Sequence, residues 1–370
     1  MSPSLAAPMP AGSLDEIPKI SLRDFDGRRE EIKAALVDAA ENIGFFKLVD
    51  HGISKERIKQ VFDQSQRFFD LDMATKQKNP WNGRNMGYEN LAQIRPSTGY
   101  PDPKESLQLS FSRLPDDLAA CWPTERDLAG FRIELETFMN EVQAVSKDVL
   151  RVLAEGVGLP TEELVEGTVC PDASDKSDSM STLRLLKYHA CEGIDQGPNY
   201  YRAGPHADFS VLTLLFQRPA PASEPQGGLE VCPGRTLSTS YGYGDRWVKA
   251  EIDDGEIVCN IGDQLMRWSD DRLKSTFHRV TCPRPGDYQG PRYSMGFFNQ
   301  ARRSAVIQGP KKVYPKITGQ EFISQAMKRN YEAALTKSKL ETFAISDEVQ
   351  AENEKFQASG DGLARVELVA

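Results

Sequence analysis

The feature that most constrains the fold is a series of short β-type runs between Thr182 and about Gln300. Each run has four to eight β-branched, aliphatic or aromatic residues, and Gly, Pro or Asp separates it from the next. The runs are LRLLKY, FSVLTLLF, GLEV, WVKA, EIVCNI, TFHRV and RYSMGFF. No helical periodicity intervenes between them, which argues against alternating strands and helices and favours an antiparallel sandwich or jelly roll.

The first half of the chain carries helical spacing instead. Apolar residues recur every three to four positions over 27–43, 55–71 and 125–157, and the same pattern returns over 319–334. IPKISL and FFKLV interrupt the helical segments as short strands, while 79–104 is rich in Pro, Gly and Asn and is predicted to be a loop. The chain is therefore predicted to be an α+β protein.

These patterns divide the chain into four expected regions. They are a mobile N-terminus over 1–16, a mixed helical region over 17–181, a jelly-roll domain over 182–305, and a helical segment with a tail over 306–370. We expect the substrate pocket to be lined by loops over 79–110, 190–204 and 218–246, the last of which contains YGYG.

Charge and targeting signals limit the partners. Asp and Glu number 54 against 45 Lys and Arg, and the formal net charge is −9. Such a chain binds nucleic acid and anionic membranes poorly. No apolar run approaches the roughly 20 residues that span a bilayer, and the N-terminal residues do not form a secretory signal. We expect a cytoplasmic protein with a small-molecule partner, whose six scattered cysteines are free thiols.

Two of the four histidines stand in a pattern that favours a metal centre. His206 and Asp208 are two residues apart at the predicted start of a strand, so that both side chains are expected on one face. His278 lies in a second predicted strand, TFHRV. Two imidazoles and one carboxylate can bind one face of an octahedral Fe(II) ion and leave three positions open. The alternative is that the His-x-Asp spacing arises by chance and binds no metal.

A second pair of residues fits the same task. Arg292 and Ser294 are two apart in RYSMGFF and are expected on one face of that strand. The planar guanidinium binds a carboxylate through two parallel hydrogen bonds, and the serine hydroxyl adds a third. A keto acid bound at the metal would bring a distal carboxylate within reach of this pair.

HADF, CNIGDQLMRWSDDRLKSTFHRV and PRYSMGFF, in this order, resemble the iron(II)/2-oxoglutarate-dependent dioxygenases of the isopenicillin-N-synthase-like branch. IPKISL, GFFKLVDHGI, KESLQLS, CWP, GLEV and WVKA also resemble landmarks of that family, so the resemblance covers roughly 17–335. Within the branch, LRLLKYH and RAGPHADFSVLTLLFQ are most similar to thymine dioxygenases and to oxygenases of microbial secondary metabolism. The resemblance implies a double-stranded β-helix core flanked by N-terminal and C-terminal helices.

The resemblance also implies roles for individual residues. His206, Asp208 and His278 would bind Fe(II), while Arg292 and Ser294 would bind the C5 carboxylate of the co-substrate 2-oxoglutarate. In addition, Tyr188 matches a tyrosine that hydrogen-bonds the same co-substrate in many relatives, and Phe298 matches an aromatic residue against the substrate. Apart from the resemblance, His51 in the DHG turn is expected to be a structural turn residue. His189 is expected to be a surface or satisfied core histidine, with a contact to the ligands or the substrate beside Tyr188 as the alternative.

The function implied is Fe(II)- and 2-oxoglutarate-dependent oxidation of a small molecule by O₂, with secondary metabolite biosynthesis as the context. Hydroxylation, desaturation and ring rearrangement all remain open, as does the oligomeric state. The alternatives are a thymine-type nucleobase hydroxylase, an oxidase of the same fold that needs no keto acid, and a non-catalytic binding protein.

Overall fold

A computed structural model describes residues 16–93, 101–169, 176–191, 200–220, 228–237 and 244–328. The tail beyond 328, residues 1–15 of the expected mobile N-terminus and residues 241–243 of the YGYG segment lie outside the described residues. The division into four regions therefore stays a prediction.

Helices cover one side of the molecule. Their bounds are α1 Arg29–Asn42, α2 Lys55–Phe69, α3 Met73–Lys76, α4 Pro115–Cys121, α5 Phe131–Val157, α6 Thr161–Thr168 and α7 Asp263–Trp268, with a 3₁₀ turn at Lys176–Asp178. Residues 319–328 are also helical. The predicted long helix begins at Phe131 rather than near Glu125 because Thr124 and Asp127 close a turn there, and Gly130 caps the helix in the left-handed region at φ 74°.

Fourteen strands run through the described residues. They are β1 Lys19–Ser21, β2 Phe45–Val49, β3 Gly87–Asn90, β4 Lys104–Ser110, β5 Thr182–Tyr188, β6 Tyr201–His206, β7 Leu212–Gln217, β8 Leu229–Cys232, β9 Val248–Lys249, β10 Ile257–Ile261, β11 Phe277–Thr281, β12 Arg292–Asn299, β13 Val306–Ile307 and β14 Ile317–Thr318. All seven runs predicted between Thr182 and Gln300 contain strands.

The strands form two main sheets that face each other as a double-stranded β-helix. The large sheet has the order β1-β2-β10-β7-β12-β5-β4-β3, and the small sheet has the order β6-β11-β8-β9. From β5 to β12 the chain crosses repeatedly between the two sheets, and every pair among these eight strands is antiparallel. The predicted jelly-roll core is therefore confirmed.

Two local expectations are wrong. The segment 79–104, predicted as loop, contains β3, because Gly87 at φ 101° lets the chain pass the backbone of Pro80 and then pair with β4. A helix, α7, also interrupts the β-rich half, since Leu265, Met266 and Trp268 bury one side of a six-residue turn too short to show periodicity.

Helix α5 closes the outer face of the large sheet. The apolar stripe predicted for this helix is buried, and Phe138 packs on Phe216 of β7 with ring centroids 5.2 Å apart. Each such buried side chain contributes about 1.5–3 kcal/mol relative to exposure. The opposite face, between the two sheets, carries a second apolar cluster that includes Leu186, Val231 and Val258.

Trp268 and Trp247 differ in burial. Trp268 is 2% exposed, whereas Trp247 is only half-buried and stacks under Arg279, with the guanidinium carbon 3.9 Å from the ring centroid. Among the residues that the structure describes, no helix combines the length and apolar composition needed to cross a bilayer.

Candidate metal centre and its surroundings

The three predicted metal ligands meet between the two sheets. His206 at the end of β6 is the cross-strand partner of His278 on β11, and their ring centroids are 4.2 Å apart. Asp208 Oδ1 lies 3.8 Å from Nε2 of each histidine. One ligand atom from each of the three residues lies within 4.8 Å of the others, which is the spacing of donors around one metal ion.

The route by which Asp208 reaches this centre differs from the prediction. His206 ends a strand rather than starting one, and Asp208 lies in the link before β7 begins at Leu212. The chain leaves the sheet here because the backbone carbonyl of Asp208 accepts a 2.7 Å hydrogen bond from the N–H of Asp263 at the start of α7. The three residues do come together, but strand alternation does not place His206 and Asp208 on one face, and their role as metal ligands stays a prediction.

Neighbouring groups orient each ligand toward the centre. The Nδ1 atoms of His206 and His278 are 2.8 and 3.2 Å from the carbonyl oxygens of Gly204 and Thr276. A carbonyl only accepts, so these Nδ1 atoms carry the protons and the Nε2 lone pairs face Asp208. This second layer of contacts is the kind that fixes the orientation of a metal-binding imidazole.

Asp208 is held through one of its two oxygens. Its Oδ2 accepts hydrogen bonds of 2.7 Å from Thr213 Oγ1 on β7 and 2.9 Å from Asn260 Nδ2 on β10. Oδ1 is left facing the two histidines. Asn260 and Thr213 thus position the Asp208 carboxylate.

The other two histidines lie apart from the centre. His51 Nε2 donates to the carbonyl of Gly255 at 2.8 Å, and burial lowers the pKa of this imidazole. His189 follows β5, and its Nε2 lies 3.1 Å from Asn90 Oδ1 at the end of β3. These contacts join distant segments of the chain, and the role of His189 stays a prediction.

The predicted carboxylate-binding residues lie on the same inner face. Arg292 is 1% exposed, is the cross-strand partner of Tyr188, and has its guanidinium carbon 5.2 Å from the Tyr188 ring centroid. Burial lowers the pKa of Arg292 to about 10. Its Nη2 donates to Gln217 Oε1 at 2.5 Å, a contact that the sequence did not indicate because Gln217 comes from another strand, β7.

Two polar atoms at this place are buried without a partner. They are Arg292 Nε and Ser294 Oγ, both donors aimed along the inner face of β12. A buried donor without an acceptor costs roughly 1–3 kcal/mol. The pair is therefore suited to an anion that accepts from both, such as a carboxylate.

Phe298 lies farther along the same face, next to the metal centre. Its cross-strand partner on β7 is Thr213, the residue that holds Asp208. The half-buried Phe298 ring lies over Gly296, where a Cβ would come within 3.1 Å of Phe298 Cε2. A side chain at 296 would therefore make the Phe298 ring shift by a few tenths of an ångström.

A polar cluster lies beyond Phe298 on the adjacent strands. Arg184 is the cross-strand partner of Gly296, and its Nη2 forms an ion pair with Glu89 Oε1. Arg184 Nε also donates to Ser106 Oγ at 3.2 Å. We call this group the Arg184 cluster; its members are Glu89, Gln93, Ser106, Gln108 and Arg184.

In the Arg184 cluster, Glu89 neutralises the charge of Arg184, and two amide oxygens have no hydrogen-bond donor. Gln93 Nε2 donates to Glu89 Oε1 at 2.8 Å, and Gln108 Nε2 donates to Thr182 Oγ1 at 3.2 Å. The amide oxygens of Gln93 and Gln108 are buried without a partner. Sequence reasoning missed the cluster because β3 and β4 were assigned to a pocket-lining loop.

Comparison with known proteins agrees with this geometry. The profile of the 2OG-Fe(II) oxygenase superfamily matches residues 179–301, and that of the non-haem dioxygenase in morphine synthesis N-terminal region matches 17–125. The chain is 31% identical to the 2-oxoglutarate-dependent dioxygenase frbA of Dothideomycetidae sp. (strain 11243), over 85% of this chain and 97% of that protein. This chain belongs to the iron(II)/2-oxoglutarate-dependent oxygenase family.

Two further proteins similar to this oxygenase are informative. It is 32% identical to the proline hydroxylase buaE of Petromyces alliaceus, over 79% of this chain and 90% of that one. A Neurospora crassa protein, solved in complex with alpha-KG and thymine, superposes with a TM-score of 0.71 and 27% identity, covering 85% of this chain and 97% of that one.

The oxygenase is thus a non-haem iron enzyme of a family that uses Fe(II), 2-oxoglutarate and O₂. The residues present fit those groups. The His-Asp-His set supplies donors for Fe(II) with open positions, and the unpartnered donors of Arg292 and Ser294 suit a carboxylate.

Proposed function

We propose that this oxygenase binds Fe(II) through His206, Asp208 and His278, and binds the distal carboxylate of 2-oxoglutarate through Arg292, Ser294 and Tyr188. The observation that carries the proposal is the pair of buried, unpartnered donors, Arg292 Nε and Ser294 Oγ, on the inner face that also bears the metal centre. With the co-substrate and O₂, the iron supplies the oxidising power that attacks a C–H bond.

The residues of this chain hold the binding groups in position and exclude water from them. Thr213 and Asn260 keep the Asp208 carboxylate turned toward the histidines, and Gln217 holds the Arg292 guanidinium against Tyr188. Because Arg292 and Ser294 are each 1% exposed, their contacts with a carboxylate form away from water and are correspondingly strong.

The substrate is proposed to be a small, neutral, polar molecule with an N–H group, oxidised in secondary metabolite biosynthesis within the cytoplasm. Glu89 neutralises Arg184, so the Arg184 cluster offers no net charge to a substrate carboxylate. The unpartnered amide oxygens of Gln93 and Gln108 instead accept N–H donors. Similarity to frbA, a 2-oxoglutarate-dependent dioxygenase, supports the dioxygenase activity. The proposed partner is a small molecule, and neither nucleic acid nor a membrane is required.

Nucleobase hydroxylation is the second candidate. The similar Neurospora crassa protein was crystallised with thymine, a neutral ring that carries N–H groups, and it shares 27% identity with this chain. The Arg184 cluster favours such a ring over an acidic substrate.

The experiment is a substrate screen with the full chain and Fe(II). Cyclic amides and imides, thymine included, are compared with carboxylic acids of similar size, and succinate and oxidised product are quantified by mass spectrometry. We expect one succinate for each product, with amides and imides oxidised and acids not. Product formed without 2-oxoglutarate would instead identify an oxidase, and iron binding without any turnover would identify a binding protein.

Phe298 is proposed to pack against the substrate, and Gly296 offers a way to test this. In Gly296→Ala the new Cβ shifts the Phe298 ring by a few tenths of an ångström, whereas Phe298→Leu replaces the ring with a smaller side chain. We expect Phe298→Leu to raise the KM for the oxidised substrate by about 10-fold, a loss of roughly 1.4 kcal/mol of packing, and Gly296→Ala to raise it less, while both leave 2-oxoglutarate affinity within twofold. Unchanged substrate KM values in both variants would remove Phe298 from the pocket.

A further inference from the structure

A buried ion pair connects the start of β4 to the strand that carries His206. Asp102, two residues before β4, is 3% exposed, and Lys104, the first residue of β4, is 5% exposed. Lys104 Nζ donates to Asp102 Oδ2 at 2.7 Å. The second carboxylate oxygen, Oδ1, accepts a 3.1 Å hydrogen bond from the backbone N–H of Gly204 on β6. Asp102 therefore joins the large sheet to the small sheet.

Gly204 lies in a β-bulge next to His206. Between His206 and Ala203, three steps along β6 face two steps along β11, so the extra residue bends the strand. Gly204 lies within this bulge, and Pro205 beside it has no N–H to offer. A buried backbone N–H needs an acceptor, and the carboxylate of Asp102 provides one for Gly204.

Gly204 also makes the contact that orients the His206 imidazole. Its carbonyl oxygen is 2.8 Å from His206 Nδ1 and accepts the proton on that nitrogen. The N–H of Gly204 is thus held by Asp102 while its carbonyl holds His206. The carboxylate of Asp102 is linked to the imidazole through the backbone of one residue.

Lys104 keeps the Asp102 carboxylate charged although it is buried. A buried carboxylate is costly unless a cation is paired with it, and a charged acceptor binds an N–H more strongly than a neutral one. Lys104 is the cross-strand partner of Tyr188, and its Nζ lies 5.8 Å from the Tyr188 ring centroid. The pair therefore gives Gly204 a strong acceptor while adding no net charge beside Tyr188.

We propose that Asp102 is a positioning residue of the metal centre, which fixes the backbone of Gly204 and, through Gly204, the orientation of the His206 imidazole. This inference rests on the proposed function, because it requires His206 to bind the metal. Removing the hydrogen-bond partner of a metal ligand costs about 10- to 100-fold in metal affinity. Asp102 acts one residue farther away, so we expect the lower value, about 10-fold.

Two double variants separate the hydrogen bond to Gly204 from the cost of an unpaired buried charge. Asp102→Asn/Lys104→Gln removes both charges and keeps an oxygen that can accept from the Gly204 N–H. Asp102→Leu/Lys104→Gln has the same charge and a side chain of similar branched shape, but no acceptor. The comparison of these two proteins therefore isolates the contact with Gly204.

A second buried ion pair on the same strand provides a matched control. Lys76 Nζ is 2.7 Å from Glu105 Oε2, and the two side chains are 7% and 5% exposed. Glu105 follows Lys104 on β4, so its side chain points to the opposite face of the sheet. Glu105→Gln/Lys76→Met removes this pair and should leave the metal centre unchanged.

The readout is spectroscopic and does not depend on turnover. Co(II) replaces Fe(II) in the full chain, and proton NMR records the exchangeable Nδ1–H signals of the metal-bound imidazoles, which the paramagnetic ion shifts away from the other signals. We expect one such signal from His206 and one from His278. In Asp102→Leu/Lys104→Gln one signal should move and exchange faster with water, while the other stays. The Asn variant and the control should keep both signals.

Calorimetric titration with Co(II) gives the second measurement. The dissociation constant should be about 10-fold higher for Asp102→Leu/Lys104→Gln than for Asp102→Asn/Lys104→Gln. Thermal unfolding of each variant checks that it is folded. If the leucine variant does not fold, Asp102→Ser/Lys104→Gln takes its place, since the shorter serine hydroxyl does not reach Gly204, and the same signal should move.

Three results would contradict these expectations, and they differ in what they overturn. If the variant without an acceptor keeps both signals and the Co(II) affinity of the Asn variant, Asp102 only joins the sheets and the inference is wrong. If both signals move alike, the variant has loosened the whole centre and the inference is wrong as well. If the unchanged protein shows neither signal with Co(II), the proposed metal ligands, and with them the proposed function, are wrong.

Discussion

Replacing Asp208 with alanine is expected to abolish turnover and to weaken Fe(II) binding by more than about 100-fold. The carboxylate supplies the only anionic donor of the His-Asp-His set, and Oδ1 is 3.8 Å from both Nε2 atoms. Losing a hydrogen-bond partner of a metal ligand alone typically costs about 10- to 100-fold in affinity, so losing the ligand costs more. His206→Ala should have the same effect, since it removes one of the two imidazoles.

The measurement is an anaerobic titration with Fe(II), followed by succinate production with 2-oxoglutarate under air. Asp63→Ala is a suitable control, because Asp63 is a partly exposed acid on α2 that pairs with Lys59 and Arg218. It should bind iron and turn over like the unchanged protein. An Asp208→Ala protein that is folded and still binds Fe(II) with undiminished affinity would contradict the assignment of the metal centre.

The sequence indicated which three residues come together between the sheets, but not how the chain brings them there. His206, Asp208 and His278 were found by residue type and spacing, yet the reason given for the first two, alternation along a strand, is wrong. Asp208 comes into place through a backbone contact with Asp263, more than fifty residues away. Spacing indicates which residues act together without specifying the turn that joins them.

The site residues that the sequence did not indicate all come from segments far along the chain from the residues they contact. Gln217 on β7 reaches Arg292 on the adjacent strand β12, and Glu89 on β3 reaches Arg184 on β5 across β4. Gln217 and Glu89 each lie in a strand whose sequence contains no recognisable motif. Strand pairing decides which polar residues share an inner face, and that pairing depends on register between segments far apart in the chain.

The fold itself was predictable where a pattern was long or repeated. The seven β-type runs and the helical spacing over 131–157 are confirmed, because many residues support each pattern. Strand β3 and helix α7 are four and six residues long and were missed, since so few residues cannot display a period.

Replacing Arg292 with glutamine is expected to raise the dissociation constant for 2-oxoglutarate by about 10- to 150-fold. A hydrogen bond to a charged group is worth about 1.5–3 kcal/mol, and Arg292 can make two of them to one carboxylate. In the described structure, Arg292 Nε and Ser294 Oγ have no hydrogen-bond partner. Both donors are therefore available to the distal carboxylate of 2-oxoglutarate. Calorimetric titration of the metal-loaded protein without O₂ measures the constant directly.

If Arg292→Gln loses affinity only for ligands with a distal carboxylate, the loss reflects a carboxylate contact and not damage to the sheet. A 2-oxo acid that lacks the distal carboxylate, such as pyruvate, should bind weakly to the unchanged protein and equally weakly to Arg292→Gln. Arg218→Gln is the matched control, because Arg218 stacks on Tyr293, the outward neighbour of Arg292, and pairs with Asp63. If Arg292→Gln binds 2-oxoglutarate normally, Arg292 does not bind its distal carboxylate. If the unchanged protein also turns over without 2-oxoglutarate, the keto-acid-independent oxidase becomes the better assignment.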